Sequence, residues 1–197
     1  MATLCGDCTS LSLVYPKGTS GATIINLKPG GFKGFLVSTV PFPSAVGAGA
    51  QAIWEAAIEA GTMAGRLDGC LLKGGKALGT PNTVNVGACG TDITIDVTDA
   101  YTIVDSGYSN TGTITEFYSY LRLKGTCYYW AFIDCDNYAR YIGRPISVAG
   151  GENIPDVSQG AVIDNQLTVT IKSDGSTPTP SLIPFLDAIT AALQVAP

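Results

Sequence analysis

Between Thr91 and Asp99 the chain reads TDITIDVTD, a strict alternation with Ile93, Ile95 and Val97 on one side and Asp92, Thr94, Asp96 and Thr98 on the other. Successive side chains of an extended strand point to opposite faces, so this period of two predicts a half-buried β-strand with its apolar side inward and its aspartates and threonines in water. A lone strand is not stable, and the rest of the chain supplies partners. Leu11 to Tyr15, Thr23 to Leu27 and Phe35 to Val40 are short β-branched or apolar runs punctuated by PKG and KPGG, the pattern of a meander. CYYWAFID, the turn-like CDN and YARYIG predict a long hairpin, and AVID with QLTVTIK predicts another, turning around Asp164 and Asn165.

Three segments carry a helical period instead. Ile53, Trp54, Ala57 and Ile58 share one face before Gly61; Ile114, Phe117, Tyr118 and Leu121 do the same before Gly125. Leu182, Phe185, Leu186, Ile189 and Leu193 form an apolar stripe behind Pro180 and Pro184, predicting a C-terminal helix over about 181–194. RLDGCLLK, from Arg66 to Lys73, is extended, and the glycine-rich KGGKALGTPNTVNVGACG that follows has no period and predicts a long loop. No internal repeat or linker separates two cores. The expected fold is mainly β (α+β), a β-sandwich or barrel with two or three short flanking helices, as one domain over 1–197.

The chain has 197 residues, of which 46% are apolar and only 14% charged. Soluble domains carry roughly 25% charged residues, so a lone copy has little charge with which to cover its surface. Burial against neighbours is the expected remedy. The net charge of −5 offers no basic footprint for gripping nucleic acid. MATLCGDCTS has neither the basic nor the apolar region of a signal peptide, and no apolar run approaches the ~20 residues that span a bilayer. Synthesis in a cytoplasm and no membrane partner are the expectations.

Histidine is absent, which removes imidazole acid–base chemistry, Ser-His-Asp and Cys-His nucleophiles and mixed nitrogen–sulfur zinc sites. No GxGxxG or GxxxxGK[ST] segment offers a phosphate cradle. Cys5 and Cys8 form a single C-x-x-C, which is either a thiolate zinc site or a pair of reduced thiols, and a second such pair is missing. A strand between Cys127 and Cys135 holds them roughly 26 Å apart, from eight steps of about 3.3 Å, too far for a disulfide. Tyr128, Tyr129, Trp130 and Phe132 lack interleaved basic residues and are expected to pack in the core rather than to stack on bases. The chain is expected to be no enzyme and to need no cofactor.

In order and pattern, IWEAAIEAG, RLDGCLLKGG, GTPNTVNVGACG and TDITIDVTD, then YSYLRLKGTCYYWAFIDCDNYARYIG and AVIDNQLTVTI, resemble virion structural proteins of tailed bacteriophages of Bacteroidetes-type hosts, over roughly residues 50–172. Within that group the layout is most similar to tail tube subunits. The resemblance implies a homo-oligomer, a hexameric ring that stacks on others and passes DNA without binding it, beside other virion proteins. It implies assembly in the host cytoplasm and a final place in the virion. A capsid decoration protein is the second expectation and a cysteine-based zinc module the third.

Two surfaces follow from these readings. Asp92, Asp96, Asp134 and Asp136 are candidates for a lumen or solvent face, so that replacing Asp92 and Asp96 by Lys would leave folding nearly unchanged. Gly74, Gly75, Gly79, Pro81, Gly87 and Gly90 are candidates for an inter-subunit loop.

Overall fold

The computed structural model describes residues 32–43, 49–77, 79–85, 92–106, 112–150, 164–173 and 181–195. Along the chain run β1 (Phe32–Ser38), α1 (Ala50–Glu59), β2 (Met63–Lys76), β3 (Thr80–Asn85), β4 (Asp92–Ser106), α2 (Gly112–Lys124), β5 (Tyr129–Asp134), β6 (Tyr138–Gly143), β7 (Ser147–Gly150), β8 (Asp164–Ser173), β9 (Ser181–Leu182) and α3 (Leu186–Val195). The fold is mainly β with three short helices among the described residues, in two antiparallel sheets that do not close into a barrel. The predicted strands Leu11 to Tyr15 and Thr23 to Leu27, and the pair Cys5 and Cys8, lie outside the described residues.

The first sheet has the order β2-β1-β5-β6-β9 and the second β7-β8-β4, with β2 and β3 along the far side of β4. β2 belongs to both. Its Met63–Leu67 portion and Leu72 pair with β1, across a register shift between Phe32 and Gly34, and its Lys73–Lys76 portion pairs with β4. Strands that switch sheets in this way make the corner of a sandwich. The corner demands close approach: a Cβ on Gly34 would run into the carbonyl of Arg66, and one on Gly65 into the carbonyl of Phe35.

β1 and β5 are apolar on both sides because the first sheet is covered on both faces. Phe35, Val37, Trp130 and Phe132 point into one cluster with Tyr101, Ile103, Leu167, Val169 and Ile171 of the second sheet and with Phe117, Tyr118 and Leu121 of α2. Leu36, Ala131 and Ile133 point the other way, onto Trp54 and Ile58 of α1 and Leu186 and Ile189 of α3. The result is three layers, with α1 and α3 on the far side of the first sheet and α2 on the near side with the second. Tyr128, Trp130 and Phe132 are fully buried, each such side chain contributing roughly 1.5–3 kcal/mol of hydrophobic stabilisation. Tyr129 is half-buried under the Arg144 guanidinium. No disulfide joins Cys127, which is buried, to Cys135, which is half-buried.

α1 ends as its sequence predicts. Gly61 takes φ +69°, its N–H donates to the carbonyl of Ile58, and the N–H of Thr62 donates to that of Ala57, the paired bonds of a Schellman stop. α2 passes into a short 3₁₀ turn at Gly125–Cys127. Three expectations are corrected. Residues 181–182 are not helical: they form β9 on the edge of β6, and α3 begins only at Leu186, beyond Pro184. Asp164 and Asn165 form no turn, because they lie within β8, paired to Asp105 and Ser106 of β4. The glycine-rich stretch is not all loop: Gly74 and Gly75 belong to β2 and Pro81 to β3, with Gly79 in the short break between them. Gly87 and Gly90 lie outside the described residues.

Candidate assembly interface

β3 continues the line of β2 along β4 after a break at residues 77–79, where the Ala77 N–H still donates to the Ala100 carbonyl. β8 flanks β4 only from Val97 onward. The first five residues of β4, Asp92–Asp96, are therefore paired with β3 alone among the described residues, and the hairpin extends about 17 Å past the last paired residue of β8, at about 3.3 Å per residue. All six residues of β3 are exposed.

This arm carries apolar side chains into solvent. Ile95 is 60% exposed and Val84 45%. On the apolar side of this strand Tyr101 and Ile103 are buried, where the first sheet lies opposite, whereas Ile95 is not. At Asn82 the pairing slips: Asn82 faces Asp96 while Thr83 faces Thr94, so Ile95 is the extra residue of a bulge and has no cross-strand partner. The expectation that Ile95 is buried is overturned.

The aspartates also depart from expectation. The Asp96 side chain is 5% exposed, held 2.6 Å from Lys172 Nζ and accepting from Asn82 Nδ2. Asp99 is buried on the opposite side of the strand, 2.8 Å from Lys76 Nζ, and that hydrogen bond raises the Lys76 ammonium above its ordinary pKa. The two ion pairs fasten the base of the arm to β8 and β2. Of the Asp92 side chain nothing is described. Asp134 is half-buried and structural: it accepts from the N–H groups of Asp136 and Tyr138 at 2.9 Å and pairs with Arg140. Asp136 is exposed. Asn137, at φ +66°, completes that turn and accepts from Lys33 Nζ at 2.9 Å. Of these candidates for a solvent face, Asp96 is buried, Asp134 half-buried and Asp136 exposed.

The second sheet turns a different surface outward. Thr98, Ala100, Thr102, Thr168, Thr170, Ser147 and Ala149 alternate with the core residues of β4, β8 and β7 and form a surface of small uncharged side chains, with Thr102 Oγ1 and Thr168 Oγ1 3.5 Å apart. Its charges at the arm end, Asp96 and Lys172, neutralise each other. Among the described residues no group of three or more Cys, Asp or Glu is placed to hold a metal, and no helix is long and apolar enough to cross a membrane. No family model, curated protein or solved structure matches the chain.

Proposed function

We propose that the chain is a self-assembling structural subunit of a virion, acting as a tail tube protein whose copies form rings that stack around a DNA channel. The observation that carries this reading is the β3–β4 arm, which presents Ile95 and Val84 to solvent in a chain with only 14% charged residues. A soluble monomer gains nothing from an apolar arm, whereas a neighbouring copy buries it. The small side chains of the outer face of the second sheet, where Lys172 is paired with Asp96, suit a wall past which phosphates slide, since few Lys or Arg contacts add little salt-dependent drag. On this reading no catalytic group and no cofactor is required, and many equivalent contacts between copies perform the function.

Negative-stain imaging of the purified chain, with light scattering across a wide concentration range, tests the proposal. Stacked rings or tubes are expected. Monomers at every concentration refute self-assembly, and small oligomers that bind only to capsids assign the chain to capsid decoration instead.

A further inference from the structure

Lys33 is the residue at which β1 slips. Phe32 pairs with Asp134 and Gly34 with Ile133, neighbours on β5, so Lys33 is the extra residue of a bulge in a central strand. A bulge re-aims the side chain it carries. The Lys33 side chain, 15% exposed, reaches the β5–β6 turn, where Nζ donates to Asn137 Oδ1 at 2.9 Å and lies 3.5 Å from Asp187 Oδ1 in the first turn of α3. The backbone of Asn137 is pinned on both sides: its N–H donates to the Asp134 carbonyl at 3.1 Å, and its own carbonyl accepts from the Ile183 N–H at 3.0 Å. An amine, a carboxamide and a carboxylate from three separate elements therefore meet at one point, with Lys33 and Asn137 104 positions apart in the chain.

We propose that these three residues form a covalent staple, an amide joining Lys33 Nζ to Asn137 Cγ, with Asp187 as the proton carrier. The oxygen that Nζ touches is bonded to the carbon it attacks, so nucleophile and electrophile are already held together and no encounter between separate molecules is needed. Asp187 takes a proton from the Lys33 ammonium, and the lone pair set free forms the new C–N bond at Cγ. The bond from Cγ to Nδ2 then breaks. Nδ2 leaves as an ammonium ion with two protons that began on Lys33, one of them delivered by Asp187, whose carboxylate is regenerated. No oxidant or reductant takes part, and the 95% exposed Asp187 marks an open path to water for the leaving group. The product ties β1 to the β5–β6 turn across 104 positions, and closing so long a loop removes freedom from the unfolded chain as a disulfide does, although a reductant does not open an amide. The staple belongs to the subunit and holds whether or not copies assemble.

Intact mass and peptide mapping of the purified full chain, freshly folded and after prolonged incubation at neutral pH, test this. The chain is expected to be lighter than its sequence by one ammonia, to migrate faster than unlinked variants in a reducing, denaturing gel, and to yield one branched peptide carrying both Lys33 and Asn137. Lys33→Arg keeps the positive charge but offers no amine for the amide. Asn137→Gly suits the left-handed backbone there, at φ +66°, while removing the carboxamide. Both variants are expected to fold and to keep their full mass. Asp187→Asn, at an exposed position, is expected to fold normally and to form the link at least about tenfold more slowly. Full sequence mass after incubation, with Lys33 and Asn137 on separate peptides, overturns the proposal. So does a loss of ammonia in which Asn137 closes on its own backbone, or an amide from Lys33 to Asp187 formed with loss of water. An unchanged rate in Asp187→Asn overturns the part given to Asp187.

Discussion

The ammonium of Lys172 on β8 lies 2.6 Å from a carboxylate oxygen of Asp96 on β4, yet Lys172 is 54% exposed while Asp96 is only 5% exposed. The pair is therefore unequal: losing the lysine leaves a buried carboxylate that still accepts from the Asn82 amide but has lost its counter-charge, whereas losing the carboxylate leaves an ammonium that water solvates. Lys172→Met is expected to destabilise by about 2–3 kcal/mol and Asp96→Asn by about 1 kcal/mol, measured by denaturant unfolding. Asp96→Lys places two ammonium groups together and is expected to cost at least as much as Lys172→Met, reversing the near-neutral outcome that the sequence pattern predicts. Equal costs for Lys172→Met and Asp96→Asn would remove the asymmetry.

Stability is expected to fall at alkaline pH through two buried phenols. Tyr101 stacks on Phe132 at 4.5 Å with 5° between the rings, and burial raises its pKa. Burial first, and the neighbouring Tyr101 second, push Tyr141 up to about 12, while its hydroxyl donates to the Arg144 carbonyl at 2.7 Å. Both folded-state values lie above the unfolded value of about 10, so the folded state favours the protonated phenols. Their contribution is fully present below pH of about 10 and is lost as pH rises towards about 12. The raised Lys76 ammonium has the same sign, its contribution fading above its ordinary value. Denaturant midpoints across this range should decline, and Tyr141→Phe should flatten the decline at some cost in stability at neutral pH from the lost hydrogen bond. An undiminished decline in that variant would assign the alkaline loss to other groups.

What was legible in the sequence was whatever local spacing controls. Trp54 and Ile58 on one face and Gly61 as the stop define α1 without reference to any other segment. The β5–β6 hairpin is legible for the same reason: apolar runs flank a turn in which Asp134 captures two N–H groups within four residues. β3 was not legible, because TPNTVN has no period of its own and is extended only because β4 lies beside it. The burial of Asp96 depends on Lys172, remote in the chain, and the exposure of Ile95 on a one-residue slip in pairing. Alternation carries no sign of such a slip, and which stretch of a face is covered depends on where the opposing sheet ends. Leu182 shows the limit of periodicity from the other direction: it fits the α3 stripe, yet it pairs with Tyr138 at a sheet edge.

The strand corner gives a contrast between two glycines of neighbouring strands. At Gly34 a methyl group would meet the Arg66 carbonyl, a backbone atom that cannot turn aside, so Gly34→Ala is expected to cost about 2–3 kcal/mol. At Gly75 a methyl group meets nothing within 4 Å among the described residues, and the strand is exposed there. Gly75→Ala is expected to be neutral or to stabilise by about 0.5 kcal/mol through the smaller unfolded-state entropy of alanine. Thermal unfolding of both variants checks the pair, and similar costs at the two sites would show that the close approach at the corner is not specific to Gly34.

The arm separates folding from assembly. Ile95 sits at a bulge on the part of the hairpin that no third strand flanks among the described residues, so replacing it removes little packing from the subunit itself. Ile95→Asp is expected to change the unfolding free energy by no more than about 0.5 kcal/mol, as exposed substitutions do. Ile103, on the same strand but 1% exposed between the sheets, provides the control: Ile103→Ala is expected to destabilise by about 2–4 kcal/mol. If a neighbouring copy covers the arm, Ile95→Asp buries a carboxylate in an apolar contact and should sharply weaken association, because an unpaired charge at the centre of an interface is costly. Unfolding and light scattering on the same variant read the two effects separately. Loss of stability in Ile95→Asp would show that the arm packs on its own subunit, and unchanged stability together with unchanged assembly would remove the arm from the contacts between copies.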